Sequence, residues 1–242
     1  MRTPRVHTTQ ALEVGTSVTL ETTVSRYLRQ SLRKAEGASI EVFNGNGAQY
    51  TAIIVSGSKS AVTITIESEH HVSMESPLSI HTGLAISKGD RMDYGIRKIV
   101  ELGGNQITPL ITQRTEVRLP KERMQKRLKH WQAIVISACE QCGRNRIPEV
   151  NEPVVLDHWL SSVDADAKLI FQPGGNIALT ERAKPQSIAL LVGPEGGFDE
   201  QEVQQAEQSG FDRVALGPRI LRTETAPLAA ISVLQYLWGD FG

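Results

Sequence analysis

The chain has 242 residues, enough to bury one large core or two smaller ones, and we expect two domains. Hydrophobic residues make up 40% and charged residues 22%, which argues against a disordered or fibrous chain. The net charge of −1 excludes a uniformly basic nucleic-acid binder, so any contact with RNA would need a local group of arginines.

The first part of the chain is typical of a small β-domain. Strands are indicated near Val6, at Ser17 to Leu20 and three times between Ser39 and Ser68, where apolar residues alternate with polar ones. Asn44-Gly45-Asn46-Gly47 supplies the positive-φ residues of a hairpin, and a short helix is expected from Thr22 to Ser31. This pattern predicts a small β-barrel or curled sheet, which we place at residues 1–72.

After the polar stretch 67–76 the pattern changes to alternating strands and helices. Strands are expected at 77–86, 107–111, 168–171, 188–192 and 214–216, and helices at 90–102, 121–142, 199–209 and 224–237. Gly143 would stop the longest helix and Thr223 would cap the last one. The alternation predicts an α/β domain with a mainly parallel sheet at residues 73–242.

Two glycine-proline turns in this second domain are the most informative feature of the sequence. Gly193-Pro194-Glu195-Gly196-Gly197 and Gly217-Pro218 each follow a short apolar strand and precede a helix. Open α/β sheets bind ligands at such strand-to-helix turns, where glycine lets the backbone approach a ligand. A sharp turn without a ligand is the alternative for either turn alone, but the pair makes a pocket the better interpretation.

Charged residues beside the second turn could act on a bound substrate. Arg222 could stabilise a developing anion, and Glu195 and Glu224 are the nearest carboxylates in the two turns. A structural salt bridge from Arg222 to Glu195 or Glu224 is the alternative, and both roles could coexist.

Local arginines are the candidates for contact with RNA, although each could equally be a solvated surface charge. The N-terminus lacks the apolar core of a secretory signal and no apolar run could span a bilayer, so a cytoplasmic protein is expected. Cys139 and Cys142 form a single CxxC without further ligand spacing, so we expect free thiols and no metal. The candidate RNA contacts are Arg2, Arg5, Arg26, Arg29 and Arg144.

Several blocks along the whole chain resemble the RsmE family, the 16S rRNA (uracil-N3) methyltransferases of the SPOUT superfamily. The blocks are Met1–Arg5, Lys88–Met92 with Glu101–Gly103, Glu140–Arg144, Gly193–Gly197 and Leu216–Thr225. The resemblance implies a PUA-like β-barrel that contacts rRNA, followed by a SPOUT domain whose backbone forms a deep trefoil knot. It also implies a homodimer, without a membrane or metal partner, that methylates 16S rRNA within the small ribosomal subunit.

The same resemblance assigns the site. It implies that S-adenosylmethionine binds in the knot and that the methyl group goes to N3 of a uridine in the decoding region. Arg222, Glu195 and Glu224 would act on the uracil. The implied cofactor contacts are Leu191, Gly193, Glu195, Gly196, Leu216, Gly217, Pro218, Ile220, Leu221 and Thr225.

Two positions depart from the family pattern, because Thr23 and Gln172 stand where many relatives have histidine. We therefore assign no catalysis to either. Two other functions stay open: a SPOUT ribose 2′-O-methyltransferase acting on tRNA or rRNA, and a non-catalytic assembly factor that binds rRNA. The N-terminal barrel with its arginines favours the N3-uridine enzyme over the first, and the intact turns with Arg222 argue against the second.

Overall fold

The computed structural model describes residues 3–115, 120–172, 174–175 and 179–242. The chain divides into two compact units. The N-terminal unit extends to Glu75 and also includes Cys139–Ile147, whereas the C-terminal unit comprises Ser76–Ala138 and Pro148–Gly242. The boundary lies three residues after the predicted one, and the return of the chain at 139–147 to the first unit was not predicted.

The N-terminal unit contains a five-stranded sheet in the order β1-β3-β4-β5-β2. Strand β1 pairs with β3 in parallel, and the other pairs are antiparallel. Alternate residues of β3, β4 and β5, such as Ile40, Ile54 and Ile64, are completely buried because successive side chains point to opposite faces. The strands are β1 Arg5–His7, β2 Ser17–Thr19, β3 Ser39–Phe43, β4 Gln49–Gly57 and β5 Val62–His70.

Local features of this unit agree with the sequence pattern. Gly45 and Gly47 have φ of 89° and 101° in the turn between β3 and β4, as the hairpin requires. The expected helix is present as α1, Thr22–Arg26, and it continues as a π-helical turn over Tyr27–Ser31. The sheet of the first unit is thus the curled β-domain that the alternation predicted.

The segment 139–147 is held in the N-terminal unit by Arg5. Its guanidinium donates to the carbonyl oxygens of Cys139 at 2.6 Å and Arg144 at 2.9 Å and to the side chain of Asn145, and it lies 4.0 Å above the Phe43 ring centre. The several donors of one guanidinium thus bind two backbone carbonyl oxygens and one side-chain oxygen of this segment at once.

The C-terminal unit is built on a seven-stranded sheet, and every strand pair described is parallel. The strand order is β12-β10-β11-β6-β7-β8, and β9 also pairs with β7. The parallel α/β prediction is confirmed for this sheet. The strands are β6 Ser79–Ala85, β7 Gln106–Ile111, β8 Glu149–Val150, β9 Val154–Val155, β10 Ala167–Phe171, β11 Ser187–Val192 and β12 Asp212–Val214.

Helices surround these strands, and the middle of the sheet is fully buried. Ile188 to Val192 of β11 are at most 2% exposed, which is why this stretch reads as a continuous apolar run in the sequence. A short 3₁₀ turn spans Leu179–Glu181. The helices are α2 Asp90–Glu101, α3 Lys121–Cys142, α4 Leu156–Ser162, α5 Glu200–Gln208 and α6 Ala226–Trp238.

The helix ends partly follow the predicted caps. Gly143 follows α3 with φ of 96°, as expected, and Asp199 caps α5 in a capping box with Glu202 that was not predicted. The last helix begins at Ala226 instead of Glu224, and Thr225, not Thr223, is its N-cap residue. Pro227 in the first turn favours this start, because a missing N–H is harmless there.

The last strand also differs from expectation. β12 covers Asp212–Val214, so the predicted strand 214–216 is wrong beyond its first residue. Leu216 instead lies in the loop that carries the second glycine turn. Among the described helices, none combines the length and apolar character needed to cross a membrane.

Candidate active site

A cavity of about 570 Å³ lies at the carboxyl ends of the parallel strands in the C-terminal unit. Both glycine-proline turns line it, together with Phe171 and Gln172 after β10. Its volume falls within the range of about 300–1,000 Å³ that small-molecule sites span. The lining residues are Arg91, Arg114, Phe171, Gln172, Gly193 to Phe198, Leu216, Gly217, Arg219 to Glu224 and Ala226.

The first turn connects β11 to α5 and is tightly closed. The Gly197 N–H donates to the Pro194 carbonyl oxygen at 2.9 Å, and Gly197 has φ of 64°, which favours glycine. A Cβ atom on Gly193 would lie 3.1 Å from the ring of Phe198, which is 5% exposed. The glycines are therefore required by a turn that packs against a buried ring beside the cavity.

The side chain of Glu195 is held by residues that lie outside the turn. Its Oε1 accepts a hydrogen bond from the Lys88 N–H and another from Arg91, each at 3.2 Å. Partial burial opposes ionisation, but hydrogen bonds from its own backbone, Lys88 and Arg91 outweigh it and lower the pKa of Glu195 below its ordinary value. Glu195 is therefore an ionised, paired carboxylate at neutral pH. Its salt bridge is formed with Arg91 and not with Arg222, the partner considered from the sequence.

Arg114 fixes the other side of the same turn. Its Nη1 donates to the Gly196 carbonyl oxygen at 2.7 Å. A Cβ on Gly196 would lie 3.2 Å from the Arg114 Cδ, so the aliphatic part of the arginine rests directly on the turn. Arg91 at the start of α2 and Arg114 in the loop after β7 thus hold Glu195 and Gly196 in place.

The second turn is more exposed than the first. Gly217 has φ of 76°, residues 217–220 are exposed, and the side chain of Ile220 is 87% exposed. The Arg222 carbonyl oxygen accepts hydrogen bonds from the Thr225 and Ala226 N–H groups, each at 2.9 Å. The Arg222 side chain is exposed at the cavity and makes no ion pair with another described residue.

The predicted cofactor residues fall into two groups. Seven of the ten line the cavity. Leu191 is completely buried in the core, and Pro218 and Thr225 are not among the lining residues described. The three predicted catalytic side chains, Arg222, Glu195 and Glu224, all border this cavity. The seven lining residues are Gly193, Glu195, Gly196, Leu216, Gly217, Ile220 and Leu221.

The predicted RNA-contacting arginines need correction at three positions. Arg5 is bound by internal carbonyls, and the 4% exposed side chain of Arg144 pairs with Glu75, with 3.1 Å between its Nε and a carboxylate oxygen. Arg29 donates to the carbonyls of Lys34 and Gly57. These three guanidinium groups hold the fold of the N-terminal unit together, which removes them from the set of free surface cations.

The two other arginines predicted to contact RNA are Arg26 and Arg2. Arg26 is exposed on α1 and remains available for RNA, whereas Arg2 lies outside the described residues. Thr23, one of the two departures from the family pattern, is also exposed on α1, and Gln172, the other, borders the cavity.

The two cysteines are free thiols, as expected. Burial raises the pKa of Cys139 to about 12, so this thiol stays protonated and unreactive. Among the described residues, no group of three or more histidine, cysteine, aspartate or glutamate side chains is placed to hold a metal ion.

Several residues of the cavity were not predicted. Arg91 was noted only within a resembling block, and Arg114, Phe171, Phe198 and Arg219 had no assigned role. Arg91 lies at the start of α2 and Arg114 follows β7, so both come from strand ends at the same sheet edge. That position after a strand was the available signal, because parallel strands bring such residues together.

Comparisons with known proteins agree with this arrangement of a β-domain and a parallel α/β domain. The family model described as an RNA methyltransferase domain matches residues 74–235, and that of the RNA methyltransferase PUA domain matches residues 20–67. Because the first match covers well over half of the chain, the chain belongs to the RNA methyltransferase family.

Relatives narrow this to one group within the family. The ribosomal RNA small subunit methyltransferase E of Buchnera aphidicola (subsp. Schizaphis graminum) is 37% identical over 99% of this chain and 98% of its own length. The enzyme of the same name from Neisseria gonorrhoeae, solved bound to S-adenosyl methionine, is 43% identical, with a TM-score of 0.94 and full coverage of both chains. A Legionella pneumophila protein solved with the bound cofactor SAM is 41% identical with a TM-score of 0.97, again over both whole chains. The resemblance stated from the sequence motifs is confirmed.

Proposed function

We propose that this chain methylates N3 of a uridine in the decoding region of 16S rRNA. The coarser activity follows from its relatives: it is an S-adenosylmethionine-dependent methyltransferase of small-subunit rRNA. The single observation that carries the assignment of the site is the cavity shared by the two glycine turns in a chain that matches SAM-bound relatives over its whole length.

The cavity fits S-adenosylmethionine by its chemistry. Gly193 and Gly196 remove side chains where the backbone must approach a ligand, and a Cβ at Gly193 would meet Phe198. Leu216 and Leu221 offer apolar surface for an adenosine ring, while Glu195 offers negative charge near a cationic centre. When bound, the cofactor supplies an electrophilic methyl group on a sulfonium sulfur.

Arg222 is the residue we assign to the uracil. Removing the N3 proton leaves negative charge shared with the ring oxygens, and a guanidinium at the cavity stabilises that charge as it develops. Because Arg222 makes no ion pair with a described residue, its donors are available to the base. N3 lies on the pairing edge, so the base must leave any duplex before it enters.

The two carboxylates have different roles in this proposal. Glu195 has a lowered pKa and is paired with Arg91, so it is a poor proton acceptor and instead holds the turn in place. Glu224 is half-buried at the cavity, and we assign to it the removal of the N3 proton. With the cofactor bound, the N3 proton would pass to the Glu224 carboxylate and N3 would take the methyl group, while the bond from that methyl to the sulfonium sulfur would break and leave its electron pair on a neutral thioether.

Assembly and location form the rest of the proposal. The trefoil knot is supported by membership in the family and by the non-sequential order of the parallel strands around β10 and β11. A homodimer is supported by exposed apolar side chains near the second turn and on α6 and the C-terminal tail, namely Ile220, Tyr236 and Phe241. A cytoplasmic location is supported by the proposed substrate in the small ribosomal subunit.

The RNA contacts are proposed for the N-terminal unit. Arg26 is exposed, and so are Arg33 and Lys59. Arg29 bonds to the carbonyls of Lys34 and Gly57, which brings the loops carrying these cations near the end of α1. A local cationic surface of this kind binds phosphates even though the net charge of the chain is close to zero.

The test uses labelled S-adenosylmethionine with small ribosomal subunits from a strain that lacks the enzyme, followed by mapping of the modified atom. N3-methyluridine in the decoding region is the expected product. A ribose methyl group would favour the 2′-O-methyltransferase instead. No transfer to subunits or free rRNA, with the cofactor still bound, would indicate a non-catalytic assembly factor.

A further inference from the structure

The first glycine turn is joined to the loop after β7 by a closed ring of hydrogen bonds. Arg114 reaches the Gly196 carbonyl oxygen at 2.7 Å, and the neighbouring Gln113 N–H donates to Glu202 Oε1 at 2.7 Å. Glu202 Oε2 accepts from the Asp199 N–H at 3.0 Å, and Asp199 lies two residues after Gly197, the last residue of the turn. The ring therefore runs from the turn through Arg114 and Glu202 back to the start of α5.

Each part of this ring is held firmly. Within the loop, the Thr112 N–H donates to Thr115 Oγ1 at 3.0 Å and the Thr115 N–H donates to the Thr112 carbonyl at 3.1 Å. Glu202 is only 7% exposed, and its two oxygens accept two backbone N–H groups. A buried carboxylate satisfied in this way orients its partners strongly, because removing it leaves both N–H groups unpaired.

We propose that Arg114 and Glu202 are positioning residues of the cofactor site. Arg114 sets the orientation of the Gly196 carbonyl, and with it the N–H groups that the turn presents to the cavity. Glu202 acts through Arg114 by fixing the loop that carries it. This inference rests on the proposed function, namely that the cavity of the two turns binds S-adenosylmethionine.

Contact with RNA is the competing role for an exposed arginine at the rim of the cavity. The geometry favours positioning, because Nη1 is engaged with Gly196 and the aliphatic part of the side chain lies against the same residue. A residue that served only RNA would have no effect on cofactor binding in the absence of RNA. That difference gives a direct test.

The test measures the affinity of the full-length protein for S-adenosylmethionine by calorimetry without RNA, for Arg114→Met and Arg114→Lys. Losing a charge-assisted hydrogen bond at a partly exposed site predicts about tenfold weaker binding for Arg114→Met, with KM for small subunits unchanged. Lysine keeps one donor and should restore part of the affinity. The matched control is Arg97→Met, which removes an exposed arginine on α2 that does not line the cavity and should therefore bind the cofactor normally.

Unchanged cofactor affinity in Arg114→Met, with a raised KM for subunits, would overturn the positioning role in favour of RNA contact. Gly193→Val separates this from failure of the proposed site, because its added side chain fills the cavity wall at Phe198. If Gly193→Val also binds the cofactor normally, the assignment of the cavity itself is wrong.

Glu202→Gln tests the second residue with its shape preserved. The amide nitrogen cannot accept a hydrogen bond, so either the Gln113 N–H or the Asp199 N–H loses its acceptor, and the link between the loop and the start of α5 is broken. Because Glu202 acts through Arg114, the double variant should bind the cofactor no more weakly than Arg114→Met alone. Additive losses in the double variant would show that Glu202 does not act through Arg114.

Discussion

The two glycine turns line the same cavity but are held in different ways. The first turn is closed by its own hydrogen bond, packed on Phe198 and bound by Arg91 and Arg114. In the second turn, residues 217–220 are exposed, and among the described residues no backbone hydrogen bond closes them. The first turn is closed by contacts within this unit, whereas the second presents Arg222 and Ile220, for which the described residues of the unit show no ion pair and no burial.

This difference separates binding from chemistry. A rigid turn suits the cofactor, because preformed N–H groups bind a ligand with little loss of conformational freedom. The exposed turn carries the two groups that need an outside partner: Arg222, which we assign to the uracil, and Ile220, which we assign to a second copy of the chain. Substitutions in the two turns should therefore affect different measurements.

The largest effect is expected from Arg222→Ala in the exposed turn. If Arg222 stabilises charge only in the transition state, kcat should fall by about 10²–10³-fold while the affinity for S-adenosylmethionine is unchanged. Single-turnover methylation and calorimetry measure the two quantities, and Arg97→Ala is the control. If Arg222→Ala lost cofactor affinity by the same factor as kcat, the proposed division of binding and chemistry between the two turns would be wrong.

The next largest effect should come from Gly193→Val in the rigid turn. Its Cβ would lie 3.1 Å from Phe198, so either the ring or the turn must shift. We expect cofactor binding to weaken by about 100-fold, the free-energy equivalent of a typical overpacking cost. Gly95→Ala on α2, whose Cβ would meet Leu84 at an ordinary 3.7 Å, should bind normally. A thermal unfolding curve checks that both variants are folded.

A smaller effect is expected from Ile220→Ser. Removing an exposed apolar side chain should leave the fold of a monomer unchanged but weaken association of a dimer by about tenfold. Sedimentation at several protein concentrations measures this change. Val14→Ser, which removes a 49% exposed apolar side chain in the N-terminal unit, is the control. A monomeric parent protein would contradict the proposed homodimer.

The smallest effect concerns pH and the Glu195 pair. Because the pKa of Glu195 is lowered in the folded protein, its pairing with Arg91 is fully present above the ordinary value of 4.5 and is lost as the pH falls through the lower folded value. Cofactor affinity should therefore stay constant from neutral pH down to that ordinary value. Glu195→Gln should bind a few-fold more weakly and lack the decline in acid, which calorimetry extended below pH 4.5 checks.

Much of the fold could be predicted because its signals are local. Buried parallel strands give continuous apolar runs, as in Ile188 to Val192, which predicted β11 within one residue. Both glycine turns were predicted for the same reason. The start of α6 was misplaced because Thr223-Glu224 looks like a cap, while Pro227 and the Arg222 carbonyl favour Thr225.

The side chains around the turns could not be predicted in the same way. Arg91 meets Glu195 and Arg114 meets Gly196 across 104 and 82 residues, and no periodic pattern links such distant positions. The arginines of the N-terminal unit were misjudged for a related reason. An arginine that binds carbonyls inside a protein has the same sequence signature as one that binds phosphate, since its donors serve both.

The return of residues 139–147 to the N-terminal unit limits how the chain can be divided. A fragment ending at Glu75 would keep Arg5 and Phe43 but lose the Cys139 and Arg144 carbonyls and Asn145, which accept from that guanidinium. It would also leave Glu75 without Arg144. The β-domain is therefore not encoded by one continuous segment of the chain. A fragment of residues 1–75, produced by proteolysis or used in a gene fusion, should be less stable than the same unit in the whole protein.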